Sequence, residues 1–259
     1  VETLNRDAHL FQYQPDAFDC IILDEAHHSS NNIYTKVIDY FNPKLFLGMT
    51  ATPDKRDDNQ EGKNIYEIFH YQIAHEIRLQ QAMEDNLLCP FHYFGISEII
   101  SLDDKMLQAT KLTDAAFNQL TSDERVRHII EQSEYYGYSG NRVKGLIFCS
   151  RVKECEELSK KFNELGYRTV TLSGNDNEDK RQEAFERLAM DEEDATEDRQ
   201  PLDYIFSRDI LNEGVDIVEV NQVIMLRPTQ SPIVFIQQLG RGLRKAPGKE
   251  YVVILDFIG

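Results

Sequence analysis

Short aliphatic runs alternate with stretches of helical period along this chain. "DCIILDE" (19–25) and "KLFLGMT" (44–50) are too short and too uniformly apolar for surface helices, and they read as buried parallel strands. Between them, "SSNNIYTKVIDYF" (29–41) opens on helix-starting serines and sets Ile33, Val37, Ile38 and Phe41 on one helical face. Strand, helix and strand with short joins make a βαβ unit, which crosses over right-handed. The pattern then loosens. "PDKRDDNQEGK" (53–63) is a polar loop, "AHEIRLQQAMEDNLL" (74–88) has helical character until Pro90, and "FHYFGISEI" (91–99) is strand-like. Residues 100–120 carry no clear period, which places a domain boundary near 88–100 and a linker over 91–121.

A second alternating set follows. Helices are predicted over 122–138 with Ser122 as N-cap, over 152–166 stopped by Gly166, over 178–189 and over 231–243. Strands are predicted at "VKGLIFCS" (143–150), "YRTVTLSG" (167–174), "LDYIFS" (202–207), "VNQVIML" (220–226) and "EYVVILDFI" (250–258). Residues 122–259 therefore read as a doubly wound α/β domain of their own, after a first α/β domain over 1–90.

Composition changes this picture little. No run of about 18 apolar residues occurs, so no membrane span is expected. The first ten residues show neither the basic nor the apolar part of a secretory signal. Cys20, Cys89, Cys149 and Cys155 form no C-x-x-C pair and read as reduced core thiols of a cytoplasmic protein. The balance of 28 basic against 45 acidic residues, a net charge of -17, argues against a nucleic-acid binder if taken as a whole. But many of the acids fall in "NDNEDKRQEAFERLAMDEEDATEDR" (175–199), whose second half is a solvated loop, so the total says little about any one groove.

The chemistry concentrates where strands end. Asp24 and Glu25 stand at the carboxyl end of a buried strand, the edge at which open α/β sheets bind ligands. An Asp there can hold Mg²⁺ and a neighbouring Glu can deprotonate water. The same residues with His27 and His28 could instead be a metal-hydrolase site, or a polar strand terminus and nothing more. "GMTATPDKRD" (48–57) ends another strand on Thr50, Ala51 and Thr52. In "DILNEGVDI" (209–217), Gly214 lies between acids at a strand-to-loop switch. In "QQLGRGLRK" (237–245), Arg241 and Arg244 are three apart, so two guanidiniums share a face suited to a cluster of phosphate oxygens. The alternative is a basic helix end favoured by the helix dipole.

In this order and at these separations, "DEAHH", "LGMTATP", "IFCS", "NEGVDI" and "QQLGRGLRK" resemble the superfamily 2 helicases of the DEAD/DEAH-box group. They are most similar to its restriction-endonuclease-type, type III restriction subunit-like branch of DNA-dependent ATPases. The resemblance covers nearly the whole chain and implies two RecA-like parallel-sheet domains of the P-loop NTPase fold. It implies Mg²⁺ on Asp24, Glu25 as catalytic base, and His27 as a relay to the second domain through Gln237. Thr50 and Thr52 would link hydrolysis to domain closure. Gly214 and Asp216, supported by Asp209, would face ATP, and Arg241 and Arg244 would be arginine fingers. Ser150, Arg151, Ser173 and Gly174 would touch nucleic-acid backbone, with double-stranded DNA favoured over RNA; the alternative for Arg151 is a surface residue of a first helical turn. Arg208 departs from the family's pattern: facing the nucleic acid it would add a phosphate contact, and facing the core it would need a partner. No G-x-x-x-x-G-K-[ST] occurs in the chain, and "VETL" (1–4) is similar to the motif just before the Asp-Glu strand. The first domain is therefore expected to be incomplete at its N-terminus, with further domains elsewhere in the same polypeptide. The chain alone is expected to bind ATP weakly. If it has no motor activity, it is instead a folded interaction module.

Overall fold

A computed structural model of the chain describes residues 3–26, 32–50, 65–100, 113–208, 217–226 and 243–258. The chain divides into two compact units, Val1–Ile77 and Arg78–Gly259. Among the described residues no helix is long and apolar enough to cross a membrane.

In the first unit, α1 (Asp7–Leu10) precedes β1 (Cys20–Leu23), α2 (Asn32–Tyr40), β2 (Leu45–Gly48) and α3 (Ile65–Ile68). β1 and β2 pair in parallel, with Cys20 opposite Leu45 and Leu23 opposite Gly48. Successive strand side chains point to opposite faces. Leu23 is buried on one face with Ala26 and Ile65, and Ile21, Phe46 and Phe69 pack around them. The Phe46 and Phe69 rings stack 5.0 Å apart. Ile22 and Leu45, on the other face, are each 55% exposed, and Cys20 is exposed too. This corrects the expectation of strands buried on both faces and of Cys20 as a core thiol. The described helices and loops of this unit cover only one face of a two-stranded sheet, so alternation leaves every second residue outside.

The second unit opens with α4 (Leu79–Glu84), shorter than the helix expected over 74–88. No side chain caps its N-terminus, and Asn86 in the left-handed region (φ 56°) follows its end. After β3 (Phe91–Ser97) come α5 (Asp114–Leu120), α6 (Asp123–Tyr136), β4 (Gly145–Phe148) and α7 (Val152–Glu164). They are followed by β5 (Thr169–Leu172), α8 (Glu178–Ala189), β6 (Tyr204–Ser207), β7 (Gln222–Met225) and β8 (Val252–Ile258). The strands form one parallel six-stranded sheet in the order β3-β8-β7-β4-β6-β5. β3 pairs with β8 along its whole length. The expected linker over 91–121 therefore holds an edge strand of the second sheet and a helix, α5, that periodicity did not mark. Thr113 caps α5 through its hydroxyl. Ser122 caps α6 as expected, accepting from Arg125 N at 3.2 Å. The helix expected at 231–243 falls, except for Leu243, outside the described residues.

Both faces of this sheet are covered. Leu146, Phe148, Ile205 and Val223 point toward α8, which contributes Ala184 and Leu188. Ile147, Cys149, Phe206 and Ile224 point toward α6 and α7, which contribute Val126, Ile129, Cys155, Leu158 and Phe162. α7 ends as its sequence predicts: Gly166 adopts φ 95°, and Tyr167 N donates to Phe162 O at 3.0 Å.

Close packing makes Gly145 indispensable. A Cβ there would lie 2.2 and 2.3 Å from Tyr204 Cδ1 and Cε1. The Tyr204 ring cannot swing aside, because it is buried and its hydroxyl sits 2.6 Å from Ser133 Oγ and donates to Gln222 Oε1 at 2.7 Å. Gly145→Ala is expected to destabilise this unit by about 1–3 kcal/mol, the cost of overpacking a filled core. A lowered urea midpoint at unchanged slope is the reading that checks it.

Candidate nucleotide and nucleic-acid site

At the carboxyl end of β1 the ladder runs past the strands themselves. Met49 N donates to Leu23 O and Ala26 N donates to Met49 O, both at 2.8 Å. Ala26 is completely buried. Two anchors therefore pin the turn that carries Asp24 and Glu25, and they set it beside Met49 and Thr50. Of the residues predicted for nucleotide chemistry in this unit, Asp24 and Glu25 share this turn, and Thr50 follows Met49, to which the turn is hydrogen-bonded. His27, His28 and Thr52 lie outside the described residues.

The turn is strained. Glu25 has φ 49°, a left-handed conformation that costs a residue with a Cβ about 1–3 kcal/mol and persists only where the surroundings impose it. Asp24 Oδ1 accepts from Glu25 N at 2.9 Å, so the first carboxylate braces the second residue's backbone. Asp24 is exposed and Glu25 half-buried. One exposed carboxylate and a half-buried neighbouring one are hard oxygen donors. Such donors fit Mg²⁺, which takes one or two protein carboxylates and fills its shell with water and phosphate oxygens. Among the described residues no three His, Cys, Asp or Glu side chains converge as a metal cage would require.

In the second unit the sheet gathers residues that are far apart in sequence. Phe148 and Leu172 are both in register with Ser207 across neighbouring strands. Ser150 and Arg151 after β4, Ser173 and Gly174 after β5, and Arg208 after β6 therefore emerge at one carboxyl edge. Arg208 is exposed rather than turned into the core. The backbone amides of two of these loops are already engaged. Ser150 N donates to Glu154 Oε2 at 2.9 Å, and Ser173 N donates to Asp176 Oδ2 at 2.6 Å. Arg244 is exposed between two tethers: Leu243 O accepts from Cys89 N at 2.7 Å, and Lys245 Nζ donates to Asn86 Oδ1 at 2.7 Å. Asp209, Gly214, Asp216, Gln237 and Arg241 lie outside the described residues.

Two features escaped the sequence. Arg125, Glu98 and Glu154 form a buried ion cluster behind the Ser150 loop. Only Glu154 carried a local signal, being an acid three residues after a helix cap. The second feature is a cavity of about 550 Å³ lined by Arg142, Tyr167 and Asp203 among others. It lies at the opposite, amino edge of the sheet and holds none of the predicted site residues.

Near the carboxyl edge, Tyr93 OH donates to Asp256 Oδ2 at 2.5 Å. Burial raises the Asp256 pKa against the lowering effect of Tyr93, and burial with the Asp256 contact pushes Tyr93 up to about 12. A carboxyl whose folded pKa is raised contributes stability that is fully present below its unfolded pKa and is lost as pH rises through the folded one. Wild type is therefore expected to lose stability relative to Asp256→Asn as pH climbs from about 4 toward neutrality. Urea midpoints of both proteins across that window check it.

Parallel strands flanked by helices, with polar loops collected at their carboxyl edge, define the open α/β class to which RecA-like domains belong. Comparison with known proteins narrows this. Residues 124–246 match the helicase conserved C-terminal domain, and residues 1–55 match the type III restriction enzyme, res subunit. IRC3 of Saccharomyces cerevisiae, described as an ATP-dependent helicase, is 24% identical over 100% of this chain and 36% of its own length. The type I restriction enzyme EcoAI endonuclease subunit of Escherichia coli is 24% identical over 95% of this chain and 32% of its own length. Among solved structures, a fragment described as an HsdR subunit of a type I restriction enzyme from Vibrio vulnificus YJ016 has the same fold. Its TM-score is 0.73 at 23% identity, covering 96% of this chain and 45% of that one. The ATP-dependent type ISP restriction-modification enzyme LlaBIII bound to DNA has a TM-score of 0.65 at 19% identity, covering 97% and 18%. The chain is thus similar to superfamily 2 helicases of the restriction-enzyme type, and its second unit carries the helicase C-terminal match. It spans about a third of the length of the two curated relatives compared.

Proposed function

We propose that this chain is part of the motor core of an ATP-dependent DNA helicase or translocase, in which hydrolysis between two RecA-like domains drives movement on nucleic acid. The observation that carries this reading is the strained Asp24-Glu25 turn, held by buried anchors beside Met49 and Thr50. Asp24 would hold Mg²⁺, which supplies charge neutralisation on the phosphates. Glu25 would orient a water and take its proton as the water oxygen bonds to the γ-phosphorus and the bridging oxygen leaves with ADP. Arg241 and Arg244 would stabilise the charge on the transferring group. Gly214, Asp216 and Asp209 would face the nucleotide, and Thr50, Thr52, His27 and Gln237 would couple its state to domain closure.

The partner is DNA, with double strands favoured over RNA, contacted through backbone phosphates by the edge that carries Arg151, Ser173 and Arg208. The setting is cytoplasmic, and further domains belong to the same polypeptide. Residues 1–259 contain no phosphate-cradling G-x-x-x-x-G-K-[ST] loop, so this chain alone is expected to hydrolyse ATP slowly or not at all. The test is ATP turnover by the full-length polypeptide with Mg²⁺, with and without duplex DNA, single-stranded DNA and RNA. Mg²⁺-dependent turnover that rises most with duplex DNA is expected. Nucleic-acid binding without any turnover would replace the motor by a folded interaction module. Turnover supported by Zn²⁺ and indifferent to nucleic acid would point to a metallohydrolase.

A further inference from the structure

The guanidinium of Arg125 has every N–H engaged. Nε donates to Glu98 Oε2 at 3.0 Å, Nη1 to Leu120 O at 2.8 Å and Glu154 Oε1 at 2.9 Å, and Nη2 to Glu98 Oε2 at 2.8 Å and Leu226 O at 3.4 Å. An arginine has five such donors in a fixed fork, and here all are used. Arg125 and Glu154 are completely buried, and the Glu98 side chain is 8% exposed. The carboxylates are used on their far sides too. Glu98 Oε1 accepts from Ile99 N at 3.0 Å and Glu154 Oε2 accepts from Ser150 N at 2.9 Å. One side chain on α6 therefore ties together the end of β3, the end of α5, the first turn of α7 and the residue after β7.

Burying three charges is a poor way to gain stability, since apolar residues of similar size serve as well or better. What the cluster does achieve is position. Glu154 sits three residues after Arg151, the N-cap of α7, and reaches back to the amides of Ser150 and Arg151. That arrangement fixes where Arg151 leaves the sheet edge. We infer that Arg125 is a positioning residue for nucleic acid: through Glu154 it holds the Ser150-Arg151 loop in the register at which Arg151 meets a backbone phosphate. The inference rests on the reading of Arg151 as a phosphate contact. Lysine in place of Arg125 keeps the charge but has three donors and no fork, so it cannot make all five of these hydrogen bonds.

The experiment uses the full-length polypeptide and a duplex DNA, and compares Arg125→Lys, Glu154→Gln, Arg151→Ala and the Arg125→Lys/Arg151→Ala double variant. Arg125→Lys and Glu154→Gln are expected to raise the DNA concentration giving half-maximal ATP turnover about tenfold, the scale of one lost charge-assisted hydrogen bond. Turnover at saturating DNA should stay within about twofold. Both variants should also lower the salt slope of binding by about one, as Arg151→Ala does, because one phosphate contact is lost. The double variant should be no weaker than Arg151→Ala alone, since both changes act through one loop. Additive losses, or an equal fall in saturated turnover, would mean a merely structural role and overturn the inference. Arg151→Ala weakening binding while Glu154→Gln and Arg125→Lys do not would overturn it and leave the phosphate contact standing. Arg151→Ala without effect would overturn both. Should Arg125→Lys fold poorly, Glu154→Gln, which keeps the size and shape of the side chain, decides alone.

Discussion

Glu25→Gln in the full-length polypeptide is expected to cut Mg²⁺-dependent ATP turnover by about 10²–10⁴-fold, the range lost with a general base. Nucleotide binding should survive. Glutamine has the same shape as glutamate and can hold a water, but it cannot accept the water's proton. The turn around position 25 is set by backbone bonds, Ala26 N to Met49 O and Met49 N to Leu23 O, which the substitution does not touch. Loss of turnover with intact binding thus isolates proton transfer from folding. Asp24→Asn is the contrasting variant. It should raise the Mg²⁺ concentration needed for turnover, because its effect is on the cation. Turnover in Glu25→Gln within about threefold of wild type would remove Glu25 from the base role.

Arg241→Ala is expected to lower DNA-stimulated turnover by about 10³–10⁵-fold, the contribution of an arginine finger to phosphoryl transfer. Phosphoryl transfer asks little covalent chemistry of a protein, so charge opposite the transferring oxygens carries much of the rate. The same variant separates two readings of one sequence. A metallohydrolase built from Asp24, Glu25, His27 and His28 has no use for Arg241 and should be unaffected. Arg244→Ala should act in the same direction as Arg241→Ala, and its partial loss or full loss tells whether one guanidinium or both meet the phosphate. Rates should be taken with saturating nucleotide, so that weakened binding is not read as weakened chemistry.

How far sequence carried the fold depended on whether the cause was local. The helix at Glu178–Ala189 has the limits its sequence predicts, because Asn177 caps it and periodicity marks its body. Ser122 and Gly166 are equally local signals. The Asp24-Glu25 turn was legible as a pair of acids at a strand end, since an apolar run broken by carboxylates needs no tertiary knowledge to find. Misreadings came from distant causes. Phe91–Ser97 is a strand of the second sheet only because it pairs with Val252–Ile258, more than 150 residues later. Cys20 looked like a core thiol because an aliphatic run does not say how many faces of the strand its neighbours will cover.

By itself the sequence determined the alternation of strands and helices, the caps, the acids at strand ends and the motif order that resembles superfamily 2 helicases. These follow from side-chain period and from chemistry between near neighbours. Only the tertiary structure decided the order β3-β8-β7-β4-β6-β5, the left-handed backbone of Glu25, and the meeting of Ser150, Ser173 and Arg208 at one edge. Above all it decided the burial of Arg125, a residue whose charge by itself argues for water. Its burial is possible only where four acceptors from four separate segments converge, and convergence of that kind exists only in the folded chain.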